Sequence, residues 1–198
     1  MTEGQIYYIK GPPRLQHFIE AVAAATKHLS RAYETRSTLE CIVLSAALID
    51  AGLRIGIIMK EQLANGTDDF NESLLHQEDG DKKLSERKII DMALKCDLIN
   101  ETGYRNLSDL YDQRNKCIHR YVISDINYNY VTSLVFRYAE ALEKVREAVK
   151  YVQSVQAARG IGMVKAKGDE TEPGFNTELD KWMDELAEAR DKRPNHDG

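Results

Sequence analysis

Proline and glycine are scarce in this chain of 198 residues, which holds 4 and 12 of them. Little in it can break a helix or turn a hairpin, and long periodic segments dominate, which favours an all-helical protein. A surplus of positive charge is also missing. The formal net charge is −5 and the pI is about 5.6, which excludes a general polyanion binder, because phosphate affinity scales with the cations supplied. Cysteine is rare: Cys41, Cys96 and Cys117 lie far apart in predicted helices. An odd count fits a reducing compartment, with the thiols used as small core residues. The most apolar run, Cys41 to Met59, is interrupted by Asp50 and Arg54 and reads as a buried helix, not a membrane span. The opening residues Met1-Thr2-Glu3-Gly4-Gln5 lack the basic and apolar regions of a signal peptide. A cytoplasmic location without a membrane partner is therefore expected. There is no Gly-rich phosphate loop, no Gly-x-Ser-x-Gly elbow and no regular calcium-loop spacing, so neither a cofactor nor a metal is expected.

What the chain does contain is helical periodicity. Hydrophobic residues make up 42% and charged residues 30%, enough apolar surface for one sizeable core. An extended arm (Ile6, Tyr7, Tyr8, Ile9) leads to Pro12-Pro13, which suit the first turn of a helix. Leu15, Phe18, Ile19, Val22 and Leu29 then predict a helix over about 13–34, with a break near Ser30. Ser37-Thr38-Leu39-Glu40 matches a capping box, and a long central helix follows to Asn65-Gly66. Residues 65–83 are acidic and read as a solvated loop, with one helical turn at Phe70, Leu74 and Leu75. A helix over about 84–97 comes next, then another started by Asn100 or Thr102. Ser124 or Asp125 is the expected cap of the last long helix, which runs to about 158 and ends at Gly160. Residues 160–175 have a linker composition, and an acidic amphipathic helix carrying Leu179, Trp182, Met183 and Leu186 is expected in the tail. The expected fold is all-α: a bundle of four to five main helices over 1–159, with a linker and short tail helix over 160–198.

The chemistry concentrates in Tyr111-Asp112-Gln113-Arg114-Asn115-Lys116-Cys117-Ile118-His119-Arg120-Tyr121. Here a group that titrates near neutral pH stands beside a fixed cation, in the pattern Arg-x4-His-x-Tyr. On a helical wheel of about 100° per residue, Leu107, Leu110, Tyr111, Cys117, Ile118 and Tyr121 fall within roughly 60° of Arg114. Arg114 thus lies on the apolar face, where it must meet an anion, a partner chain or a carboxylate, because an unpaired buried charge is too costly. His119 falls about 140° away and roughly 7.5 Å further along the axis. One regular helix does not aim both groups at one phosphate. Either the helix distorts near His119, or a second copy of the chain brings its own pair across a two-fold interface, the preferred reading. Cys117 and His119 point to different sides and make a poor zinc pair.

The run Asp112 to Tyr121, with Ala93 to Glu101 before it, resembles the HEPN superfamily (higher eukaryote and prokaryote nucleotide-binding). Its motif is Arg-x4–6-His with a polar residue after the arginine. The likeness covers about residues 37–155, and the Arg-Asn…His-x-Tyr form resembles the toxins paired with minimal nucleotidyltransferase antitoxins. It implies a helical bundle, a homodimer along the motif helices and, in many members, metal-independent cleavage of RNA; others only bind or scaffold. The residue types suit that chemistry. The imidazole of His119 can accept or donate the proton when a 2′-OH attacks the neighbouring phosphate. Arg114 can hold the phosphate oxygens through paired hydrogen bonds. Asn115 can orient His119 or the phosphate, and Tyr121 can stack on a base or bond to phosphate. Lys116 and Arg120 add local positive charge. By the same resemblance Tyr121 is also a candidate for adenylylation by an antitoxin or nucleotidyltransferase partner. Two readings follow: an endoribonuclease of toxin or defence type, and a non-catalytic helical dimer that binds a nucleotide or a partner protein.

Overall fold

The computed structural model describes residues 7–9, 11–76 and 84–166. Within them run β1 (Tyr7–Ile9), α1 (Pro13–Glu34), α2 (Thr38–Asn65), a 3-10 turn (Glu72–Leu74), α3 (Glu86–Lys95), α4 (Glu101–Arg120), a second 3-10 turn (Tyr121–Ile123), α5 (Tyr128–Arg159) and β2 (Val164–Ala166). The protein is the all-α bundle that the periodicity predicts. The acidic stretch 77–83, the expected tail helix around Trp182 and the rest of 167–198 lie outside the described residues.

Helix α2 is the central rod. It packs along α5 more extensively than against any other element and also touches α1, α3 and α4. Burial on several sides explains why its apolar residues form a broad band and not a narrow stripe. One 18-residue window of α2 is apolar enough for a membrane span, but 72% of that window is buried inside the fold. Two glycines allow close approach: a Cβ on Gly52 would meet Val145 at 2.9 Å, and one on Gly56 would meet Leu98 at 2.4 Å. Contacts of Gly52 with Val145 and of Met59 with Gln156 advance together along both helices, so α2 and α5 run parallel. Helix α4 runs antiparallel to α5, since Tyr138 reaches back to Leu110 and Tyr130 to Gln113.

Two helix ends show how local geometry sets this layout. After α1, the Arg36 N–H donates to Tyr33 O at 3.1 Å and the Ser37 N–H to Ala32 O at 2.9 Å. After α3, the Asp97 N–H donates to Leu94 O at 3.0 Å and the Leu98 N–H to Ala93 O at 2.9 Å. Both are Schellman motifs, and both place a non-glycine residue in the left-handed region, with φ of 56° at Arg36 and 55° at Asp97. The second motif turns Leu98 into the core against Gly56, which fixes where α4 begins.

Some sequence expectations need correction. The capping box at Ser37 does not form. Its ψ is 81° and its side chain makes no cap hydrogen bond, because the Schellman motif ending α1 already dictates its backbone. The extended backbone a cap needs is present instead at Ser85, Asn100 and Asn127, each of whose side chains accepts a backbone N–H. Asn127, not Ser124 or Asp125, therefore starts α5. Helix α1 runs unbroken through Ser30.

The segment after Gly160 also differs in part from a linker, because residues 161–166 lie on the bundle. Met163 and Val164 are each 1% exposed, and Val164 to Ala166 pairs antiparallel with β1. Polar side chains hold the segment there. Met163 and Val164 donate their N–H groups to Gln62 and Gln156, each at 3.0 Å. The Gly162 N–H reaches Asp68 at 2.6 Å, and the Lys165 ammonium donates to the same carboxylate at 2.9 Å.

Candidate functional site

Helix α4 reaches Arg120 as a continuous helix before the Tyr121–Ile123 turn. It does not distort at His119, so Arg114 and His119 keep their separation of roughly 7.5 Å along the axis and about 140° around it.

Arg114 is nearly surrounded. Its Nη1 donates to the Glu86 carboxylate at 2.6 Å, in a pair whose side chains are 18% and 21% exposed. Its Nη2 donates to Asn115 Oδ1 at 3.1 Å. The guanidinium lies 5.1 Å from the Tyr111 ring centroid, within cation–π range. Its Nε is buried with no hydrogen-bond partner among the described residues. The carboxylate that the apolar wheel position requires is thus on a neighbouring helix, at the first turn of α3. Burial pushes the Glu86 carboxyl above its ordinary range, opposed by Arg114, with Asp50 and Arg54 acting at longer range. Those two form their own pair at 2.6 Å.

Arg87, the next residue of α3, pairs with Asp112 on the surface and lies 4.8 Å from the same Tyr111 ring. Tyr111 therefore serves two guanidinium groups from two different helices. Behind this cluster, the Tyr138 hydroxyl donates to the Leu110 carbonyl at 2.8 Å, and burial raises its pKa well above the usual phenol range. That bond pins α4 to α5 one turn before Arg114.

His119, Lys116 and Arg120 are exposed, and Tyr121 is exposed at the start of the turn. Asn115 holds Arg114, not His119. Within one chain, then, Arg114 and Asn115 come together, while His119, Lys116, Arg120 and Tyr121 remain separate at the surface. Around them large apolar side chains face outward: Ile118, Val122 (92% exposed), Ile123 (82%) and Tyr128. Leu39 and Val43, also exposed, lie near the start of α2, which the parallel α2–α5 packing puts at this same end of the bundle. A cavity of about 640 Å³ opens elsewhere, between the first half of α4 and the middle of α5, and no motif residue lines it.

Among the described residues no three His, Cys, Asp or Glu side chains form a group able to hold a metal ion. Sequence reasoning missed Glu86, Arg87 and the double role of Tyr111. Glu86 and Arg114 stand 28 positions apart, and no local pattern announces a pairing at that range. Compared with protein-family models, curated proteins and solved structures, the chain shows no significant match.

Proposed function

We propose that the chain is an endoribonuclease of toxin or defence type, cleaving RNA without a metal in a cleft shared by two copies. The observation that carries this reading is a guanidinium held on the inner face of α4 by Glu86, Asn115 and Tyr111, one and a half turns before an exposed histidine. The likeness to the HEPN superfamily supports it. His119 takes the proton of the attacking 2′-OH or returns one to the leaving oxygen, and Arg114 holds the phosphate as charge builds on it. The product ends are a 2′,3′-cyclic phosphate and a 5′-OH. Because α4 stays regular, the histidine and arginine of one site come from different copies. The exposed Ile118, Val122, Ile123 and Tyr128 supply apolar surface for that contact. Tyr121, Lys116 and Arg120 line the cleft for RNA, and a cytoplasmic antitoxin or nucleotidyltransferase partner acts on it.

One observation favours a second reading, a non-catalytic helical dimer that binds a nucleotide or a partner protein. The charge of Arg114 is already balanced by Glu86 inside the chain. Expression of wild type beside His119→Ala and Arg114→Ala, with growth measured and RNA ends mapped, separates the two. The nuclease reading expects 2′,3′-cyclic ends that vanish in both variants. Equal cleavage in all three sinks it, and intact RNA with nucleotide or protein binding supports the second.

A further inference from the structure

A guanidinium that is to hold a phosphodiester is, in this chain, already holding a carboxylate. Carboxylate and phosphate oxygens compete for the same N–H donors with the same fork geometry. Glu86 is the carboxylate in ion-pair contact with Arg114 among the described residues. Asp112, which the sequence places closer, is turned away to Arg87.

The pair is neither sealed nor at the open surface. At 18% and 21% exposure, water reaches its edge, so the partners can exchange without unfolding the helices. The other holders of Arg114 make no competing charge: Asn115 is a neutral acceptor and Tyr111 offers its ring face. The buried Nε adds a donor with no partner among the described residues. The charged and titratable groups facing Glu86 are Arg114 on α4, Asp50 and Arg54 on α2, and Tyr138 on α5. Asp50 and Arg54 largely cancel each other at 2.6 Å. The charge balance of the site therefore turns on Glu86 and Arg114.

We infer that Glu86 is a resident counter-ion that occupies the phosphate position of Arg114, holding the guanidinium in place until an RNA phosphodiester displaces it. The inference rests on the reading of Arg114 as a phosphate holder. Glu86 is thus a positioning residue, and removing its charge while keeping its shape strengthens phosphodiester binding. Protonation does the same. Burial raises the Glu86 carboxyl, so this release begins above the usual carboxylate range as pH falls.

The probe is a fluorescent 2′-O-methyl RNA oligonucleotide, which binds but lacks the attacking hydroxyl. Its affinity is measured by anisotropy between pH 5 and 8 for wild type, Glu86→Gln and Arg114→Ala, each checked for folding by urea denaturation. Glu86→Gln is expected to bind several-fold tighter than wild type at pH 7.5, the gap narrowing as pH falls, while Arg114→Ala loses the gain. Equal or weaker binding by Glu86→Gln at every pH, as for a residue that only holds helices together, overturns the inference. So does the absence of binding by either protein. Should Glu86→Gln fail to fold, the pH profile of a His119→Gln chain decides, free of that imidazole's titration. Affinity that does not rise as pH falls then rejects the inference. If the binding pattern appears but unmodified RNA is never cleaved, the ribonuclease reading fails and the counter-ion role stands. If RNA is cleaved but the binding pattern is absent, the counter-ion role fails and the ribonuclease reading stands.

Discussion

The carboxamide of Gln156 on α5 donates to the carboxamide oxygen of Gln62 on α2 at 2.9 Å, with both side chains buried. Each amide also serves the backbone. Gln156 donates to Met59 O at 3.0 Å and accepts from the Val164 N–H, while Gln62 donates to Asp68 O at 3.1 Å and accepts from the Met163 N–H. The pair is a satisfied polar knot that joins two helices, a loop and the segment entering β2.

Breaking that knot is expected to be expensive. Gln156→Leu leaves the N–H of Val164 buried without the acceptor it now has, costing about 1–3 kcal/mol, and takes a donor away from the Gln62 carboxamide oxygen. Urea denaturation is the check, with hydrogen exchange expected to rise first at Met163 and Val164.

The two left-handed positions predict the opposite sign. Arg36→Gly and Asp97→Gly remove a Cβ clash from a residue held at positive φ, set against a larger entropy in the unfolded chain. Each is expected to stabilise by about 0.5–1 kcal/mol, read as a higher urea midpoint at unchanged slope. Both Schellman motifs already supply the hydrogen bonds.

Glu86 predicts a pH dependence whose sign follows from its burial. Its folded pKa lies above the ordinary value, so its contribution to stability is fully present below that ordinary value. It is lost as pH rises through the folded one. Glu86→Gln has no such titration. The stability of wild type relative to Glu86→Gln should therefore fall as pH rises from the ordinary glutamate range, followed by urea denaturation over a series of increasing pH.

Arg114 and His119 separate on stability alone. Arg114→Ala strands the Glu86 carboxylate, and truncating one partner of a buried pair costs about 3–5 kcal/mol; water at the edge of this pair places the loss near the lower figure. His119→Ala changes an exposed helix end and should stay within about 0.5 kcal/mol of wild type. Thermal unfolding of both variants distinguishes them, and it makes His119→Ala the cleaner test of catalysis.

The outward turn predicts oligomeric state. Val122→Asp and Ile123→Asp alter side chains that are 92% and 82% exposed in a single chain, so the fold should tolerate them. Dimerisation should not. Sedimentation velocity is expected to show a dimer for wild type and a monomer for the double variant. A wild-type monomer at tens of micromolar would count against the shared cleft.

How much of the fold and site is legible in the sequence varies with the range of the interaction. Asn65-Gly66, Asn100 and Gly160 mark helix ends by their own side chains or by positive φ, and the sequence shows them. Ser37 misleads because a cap depends on ψ, which the end of α1 has already set. The apolar wheel position of Arg114 correctly demands a counter-ion, but which one is settled by how α3 lies on α4. Residues 160–166 carry a linker's glycines, Gly160 and Gly162, yet the segment is seated by Gln62, Asp68 and Gln156, side chains whose partners no periodicity reveals.

The short pairing of Tyr7 with Ala166 and Ile9 with Val164 brings the two ends of the described fold side by side, next to where α2 and α5 finish. The turn at Val122 lies at the opposite pole, about 48 Å away along the 32 residues of α5. Anything attached through either strand is thus anchored a full bundle length from the α4–α5 turn. A fluorophore or surface tether placed there would leave that face free, which makes this pole the natural handle for watching whatever binds the other.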